Sequence, residues 1–525
     1  MTSAWALAAI ALVCVTTSAI GLLGLRFTRG TSDFYVAGRT VTPWRNASAI
    51  GGEYLSAASF LGIAALMYDR GLDTLWLPVG YTVGYLVLLV LVAAPLRRSG
   101  AYTLPDFAEL RLDSRIARTV CSVFVIGIGS LYLIPQLQGA GLVLRHVTGW
   151  PQWVGTVVVA ALVAFNVALA GMRSITLVQA VQYWLKLTAL VVPAFVMLAV
   201  WFRDGRPAAV ADSTWWDPLT STGNAGSLYG TYSVLLALCL GSMGLPHVVV
   251  RFYTNPTGRE ARRTTVAVLA LLGAFYVWPP VYGWLGRVYL SPSAAGERDT
   301  MVLRLPESVV STGVAQALGA MLAAGAFAAF LSTSSGLLMA VSGVLDQDIA
   351  RPLQRRLRPS LQPSRSFRAA VLLAILVPFA VAVLGGTFGI SLVVGYAFAI
   401  ASATFAPLLL LGVWWRGLSR KGALAGVLVG GLGTSISAAV MLARPDLVSG
   451  TVRQLLVDPA AWATPLAVFV MVVVSLMTPG SIPASTARTL TRLHVPEAVA
   501  LGDPNADPNA DARADSEREG HAAGH

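Results

Sequence analysis

Charge is scarce in this chain. Of its 525 residues, 12% are charged and 56% are hydrophobic. Soluble domains carry about 25% charged residues, so a water-soluble globule with one large core is excluded. Lysine is rarer still. Lys186 and Lys421 are the only two, and arginine supplies the other cations, a bias that points to a GC-rich bacterial source. The three cysteines, Cys14, Cys121 and Cys239, all lie in apolar runs, which argues against a disulfide framework or a metal site. The histidines at 146, 247, 494, 521 and 525 are not at helical ligand spacing, so no metal cluster or catalytic constellation emerges. "GGLGTS" near Gly430 lacks the lysine and the strand of a phosphate loop. The formal charge of +12 reads as loop charge against an anionic membrane surface, with no nucleic-acid partner.

What the chain has in quantity is apolar, charge-free runs. About 20 such residues cross a bilayer, and thirteen spans are expected. Spans 1 to 6 are placed at 4–25, 47–67, 74–96, 119–144, 151–171 and 174–202. Spans 7 to 9 are at 228–250, 264–286 and 312–344. The stretch Ala369 to Trp415 is too long for one helix and divides into spans 10 and 11 at "GGTFG", Gly385 to Gly389. Spans 12 and 13 are at 422–443 and 462–478. The first span lacks a basic n-region and is too long for a typical signal peptide, so it reads as retained.

Alternate loops differ in charge. The set beginning with 26–46 holds 23 cations and the opposite set holds 9, which predicts the N-terminus outside and the C-terminus inside. Spans 2–6 and 7–11 are two sets of five. Five is odd, so the sets enter the membrane in opposite directions, the condition for an inverted repeat. The expected organisation is an extra helix at 1–30, a core at 31–415, two further helices within 416–480 and a disordered cytoplasmic tail at 481–525. That tail ends in the small, polar "GDPNADPNADARADSEREGHAAGH".

Two spans stand out. Span 9 carries Ser332-Thr333-Ser334-Ser335 in a run without charge from Val309 to Leu345. Hydroxyls in membrane helices commonly bond the preceding turn or sit at close packing. They also offer oxygens to a hard cation. Span 2, "NASAIGGEYLSAASFLGIAALMY", has Gly51-Gly52 next to Glu53, Ser56 and Ser59. Two glycines permit unwinding, which frees carbonyls for a cation and amides for an anion. The other reading is an ordinary helix with a small-residue face.

Glu53 and Lys186 are charges inside the membrane and need a reason. They pair as a salt bridge, or Lys186 snorkels, or one titrates and couples protons. His247 and the inside-facing anchors Arg45 and Arg251 read as structural.

"SDFYVAGR" at Ser32 to Arg39, "GGEYLSAASFLGI", "AGMRSITLVQAVQYWLK", "GLPHVVVRFYTNP" and "AFAAFLSTSSGLLMAVSGVLDQDI" together resemble the sodium/solute symporters, in particular the cation/acetate or monocarboxylate branch. The resemblance runs from about Ser32 to span 12. It implies an all-α polytopic membrane protein with a leucine-transporter-type core of two inverted five-helix repeats. It implies a sodium ion held by the carbonyls of Gly52, Leu55 and Ala329 and the hydroxyls of Ser332 and Thr333. Ser334 and Ser335 then pack or bond backbone. One departure stands out: where many members carry an aspartate near the sodium route, this chain has Gln179, grouped here with Glu53 and Lys186 as possible elements of proton coupling.

The implied activity is cation-coupled symport of acetate, propionate or pyruvate across a bacterial cytoplasmic membrane. Tyr54, Ser56 and Ser59 are candidate donors to the carboxylate, with the amides of span 2. Gln136 joins them, since Pro135 is able to open space beside it, although an interhelical hydrogen bond explains it equally well. Proton-coupled uptake and sodium-coupled uptake of another solute such as proline stay open. No cofactor is expected. A channel lacks its continuous polar path here, and a sensor lacks its signalling domain.

Overall fold

The computed structural model describes residues 4–24, 37–210, 213–218, 225–290, 299–357, 363–385 and 389–496. Among the described residues all regular structure is helical. That is the form in which a segment in hydrocarbon satisfies every backbone group by itself. Among the described residues eleven helices are long and apolar enough to cross a membrane, twelve when the bent pair Leu228–Gly244 and Pro246–Phe252 counts as one. Thirteen were expected. The difference lies in span 2, whose first half, Pro43–Tyr54, is too short to cross, while Ala58–Leu91 runs through a turn as one apolar stretch.

The breaks have local causes. Pro43–Tyr54 ends at Leu55, with φ −73° and ψ 82°, and the chain resumes as a π-helical turn Ala58–Gly62 leading into Ile63–Arg70. We call this the broken helix. Gly71 then turns the chain at φ +75°, where a β-carbon would strike the Trp215 carbonyl oxygen at 2.0 Å. Gly171, at φ 62° and ψ 177°, separates span 5 from span 6, whose helix Gly171–Arg203 we call the lysine helix. Leu245 is extended and Pro246 has no N–H to continue the ladder, so the two halves of span 7 meet at 45° and form the bent helix. Each set of five thus opens with an interrupted helix. Pro135, by contrast, lies within an uninterrupted helix, Arg115–Thr148.

Thr312–Leu345, the hydroxyl helix, packs against the lysine helix, Arg115–Thr148 and the broken helix, and is buried along nearly its whole length from Leu322 to Val344. Ala4–Gly24 lies at the periphery, touching the lysine and hydroxyl helices, and shows Trp5, Leu12 and Val15 outward. Gln182 Nε2 on the lysine helix donates to Thr17 Oγ1 there, at 3.0 Å.

The expected disordered tail needs correction over its first part. Residues 486–494 form a helix, Thr486–His494, docked on the arginine-rich face. Arg98 Nη1 donates to the Leu493 and His494 carbonyls, and the His494 ring meets Trp414 at 4.9 Å. Leu490 and Leu493 are buried, which a wholly polar reading of the tail missed. Residues 497–525, with His521 and His525, lie outside the described residues, as do Ser32–Val36 of the first motif and 386–388 of the "GGTFG" break.

Candidate functional site

The break in the broken helix is where the buried polar side chains converge. Four helices supply the charged residues among them and their direct partners. Glu53 ends the first half of the broken helix and is 2% exposed. Its carboxylate lies over Gly336 of the hydroxyl helix, where a β-carbon would meet Oε1 at 1.9 Å. Arg251 Nε donates to Glu53 Oε2 at 2.5 Å, and Nη1 donates to Thr176 Oγ1 at 2.8 Å. Arg251 Nη2 donates to Gln179 Oε1, and Gln179 Nε2 donates to the Ser332 carbonyl at 2.8 Å. Two sequence readings change here, and the reading of Gln179 narrows to one of its alternatives. Glu53 pairs with Arg251, not with Lys186. Arg251 is no membrane-face anchor, because the bend at Leu245 turns its short helix inward and leaves it 1% exposed. Gln179 enters the network by hydrogen bonds alone, since an amide carries no exchangeable charge at neutral pH.

Lys186 is fully buried and does not snorkel. It stands two helical turns from Gln179 on the same face of the lysine helix. Its Nζ donates to the Gly52 carbonyl, to the Leu55 carbonyl at 2.7 Å and to Ser332 Oγ at 3.0 Å. These are three of the five oxygens that the family resemblance assigns to sodium. The other two lie close by but are otherwise engaged. The Ala329 carbonyl accepts from Ser332 Oγ at 3.1 Å, and Thr333 Oγ1 donates to the Glu53 carbonyl at 2.6 Å. The five residues do converge, around an ammonium. With Lys186 in that position they do not fit a sodium ion as well, since both cations need the same lone pairs and the one carboxylate nearby is held by Arg251.

The four candidate solute residues surround the same break. Tyr54 Oη and Ser242 Oγ are 2.7 Å apart, and Ser59 Oγ and Tyr276 Oη are 3.1 Å apart. Ser56 Oγ accepts from Tyr132 Oη at 3.2 Å. Gln136 Oε1 accepts from the Ala57 N–H at 3.2 Å, so the unwound backbone amide expected for the solute is taken by a side chain. What remains unpartnered is Gln136 Nε2, Tyr85 Oη and both ring nitrogens of His247, all buried. The Tyr85 ring packs edge-on against Tyr54 at 4.7 Å, and His247 against Tyr132 at 5.5 Å. Tyr85, Tyr132 and the inward Arg251 escaped the sequence reading. Arg251 was legible in one respect, because a buried Glu53 needs a cation. Ser334 Oγ has no partner either, so of the two expected roles, packing or bonding backbone, buried Ser334 takes the first.

A cavity of about 800 Å³ opens on the face opposite the arginine-rich loops. Ala58, Tyr81, Tyr396, Arg287, Asp69 and Asp458 are among its lining residues. Tyr81 lies in its wall and stacks on Tyr276, with ring centres 5.6 Å apart. Tyr85, Gln136 and His247 do not line it, so aromatic rings stand between the cavity and the unpartnered donors. On the other face Arg118 bonds Asp106, Glu109 and Asp348 together, and Arg97 donates to the Asn255 and Pro256 carbonyls.

A family model described as "Sodium:solute symporter family" matches residues 34–430. The chain belongs to this family. An uncharacterized symporter of Bacillus subtilis (strain 168), YwcA, is 30% identical over 420 residues, covering 77% of this chain and 80% of its own length. Among solved structures, a Na+-coupled sialic acid symporter in a substrate-bound outward-open state aligns with a TM-score of 0.70 at 16% identity, over 91% of this chain and 98% of that one. MhsT in complex with L-phenylalanine aligns at 0.54 with 13% identity, over 83% and 99%. Mhp1, a nucleobase-cation-symport-1 family transporter, aligns at 0.52 with 13% identity, over 88% and 99%. The fold is therefore the leucine-transporter type expected from the sequence, and the chain is a multi-pass membrane transporter, not an enzyme.

Proposed function

We propose that this symporter family member carries a small monocarboxylate, such as acetate, propionate or pyruvate, together with a cation, by alternating access across a bacterial cytoplasmic membrane. The observation that carries this reading is a surplus of buried positive charge beside unpartnered donors. With Lys186 as the ammonium that its three acceptors fit, Glu53, Arg251 and Lys186 sum to one positive charge, and Gln136 Nε2 and Tyr85 Oη lack partners around the same break. A solute with one negative charge and two acceptor oxygens balances both. Burying a neutral solute there would leave the surplus charge uncompensated, which is costly in a low dielectric.

The driving ion supported by the family description is sodium, in keeping with the Na+-coupled sialic acid relative. The place of Lys186 favours a second reading, in which the proton is the driving ion and Glu53 or Lys186 its carrier. Sodium-coupled uptake of an uncharged or zwitterionic solute such as proline is the remaining alternative.

The test is competition against radiolabelled acetate in proteoliposomes. Propionate and pyruvate should compete, while acetamide, which has acetate's shape without its charge, should not. Gln136→Leu should raise the apparent KM for acetate by about tenfold or more, since a lost hydrogen bond to a charged group is worth ~1.5–3 kcal/mol. Equal competition by acetamide, or an unchanged KM in Gln136→Leu, would remove the carboxylate from this site.

A further inference from the structure

The place of Lys186 supports a further step, which rests on the reading as a cation-coupled symporter. The nest between the broken helix and the hydroxyl helix consists of the Gly52 and Leu55 carbonyls and Ser332 Oγ, and Lys186 Nζ donates to all three. An ammonium has three N–H donors and no acceptor, so three acceptors satisfy it completely. Gly52 also meets the lysine helix without a gap, since a β-carbon on it would lie 2.0 Å from the Gln179 carbonyl oxygen. The lysine helix grips Ser332 twice, through Gln179 Nε2 on its carbonyl and Lys186 Nζ on its hydroxyl. Two members of one helix face thus close the nest from the same side.

We infer that the Lys186 ammonium is the resident cation of this nest, a tethered ion that joins the broken, lysine and hydroxyl helices, and that sodium and Lys186 exclude one another there. The exclusion follows from lone pairs and from charge. Sodium needs several oxygens at once, and the shared three are already engaged. A second positive charge in the nest has no counter-ion, because Arg251 holds Glu53. Removing the ammonium should therefore expose carbonyls that bind sodium.

The experiment reads sodium-specific thermal stabilisation of the purified full chain in detergent, with NaCl compared with choline chloride at matched ionic strength. The wild type should show the same midpoint in both salts. Lys186→Met, which keeps most of the side-chain length without the charge, should be stabilised by NaCl, with an apparent sodium constant at least about tenfold lower than that of the wild type. Lys186→Met combined with Ser332→Ala should lose that gain. A wild type that sodium stabilises, with the effect lost in Ser332→Ala, overturns the inference. So does a folded Lys186→Met that sodium leaves unchanged. If Lys186→Met does not fold, the pair of wild type and Ser332→Ala still decides the matter. No solute is present, so this readout is independent of whether a monocarboxylate is carried. Acetate competition failing beside a sodium-insensitive wild type would remove the earlier reading and leave this one standing.

Discussion

Gly52 has no room for a side chain. A β-carbon there would meet the Gln179 carbonyl oxygen, which is backbone and cannot rotate away. Gly52→Ala should therefore cost about 1–3 kcal/mol, the range for over-packing a tight core. A midpoint in thermal unfolding lower by several degrees checks it. Glu53 and Arg251 are a second case of enforced fit. Glu53→Gln leaves the buried Arg251 without its carboxylate, and breaking such a pair costs about 3–5 kcal/mol. Glu53→Gln with Arg251→Gln should recover part of that loss in the same unfolding assay, because the buried guanidinium is then no longer left without its carboxylate, while the Lys186 ammonium keeps its three acceptors. At this scale the sequence announced Glu53, Lys186, Ser332 and Gly52, since polar residues and paired glycines are conspicuous in apolar runs. It did not announce which charge pairs with which. Arg251 sits at the end of an apolar segment and looks like an anchor until the bend at Leu245 is known.

The two interrupted helices decide where the site lies. Gly51-Gly52 and the "GLPH" stretch were both visible in the sequence. At the former, unwinding and an ordinary helix were both open, and the chain breaks just after it, at Leu55, with both glycines inside the helix; the latter was not read as a break, although Pro246 is at the first position of a new helix. Loops contribute as well. Asp458, between Gly450–Val457 and Ala460–Met477, lines the cavity. Burial pushes its carboxyl up to about 6, with Arg70 pulling the other way. A carboxyl raised in the folded state favours folding below its unfolded value, near 4, and that stability is lost as the pH rises through 6. Asp458→Asn should thus be more stable than the wild type at pH 7.5, by up to about 2 kcal/mol after screening. It should also lack the wild type's decline in stability between pH 4 and 6.5. Unfolding curves across that range, overlaid for both proteins, provide the check. The tail was misjudged at this same scale. Its charge and small residues concealed the short amphipathic helix Thr486–His494, whose few apolar residues become buried only when it docks on the helices Ala93–Arg98, Leu104–Leu112 and Ile390–Trp414.

Over the whole molecule, the span pattern and the two sets of five were legible because hydrocarbon permits few alternatives to helices. The state of the molecule was not. A cavity reaches from the face opposite the arginine-rich loops to Tyr81, and stacked tyrosines close it above the unpartnered donors. The Arg118 cluster with Asp106, Glu109 and Asp348 ties the other face together. Sequence periodicity cannot disclose such side-chain closures, which depend on residues far apart in the chain meeting in one conformation. Alternating access requires that both closures open in turn, so the molecule must do work on its solute when an ion gradient is present. The most direct measurement is radiolabelled acetate in proteoliposomes, with inward sodium and proton gradients imposed separately at zero membrane potential. Accumulation above the external concentration under one of the two gradients, collapsing when that gradient is dissipated, is the predicted result. Simple equilibration of acetate under both gradients contradicts it.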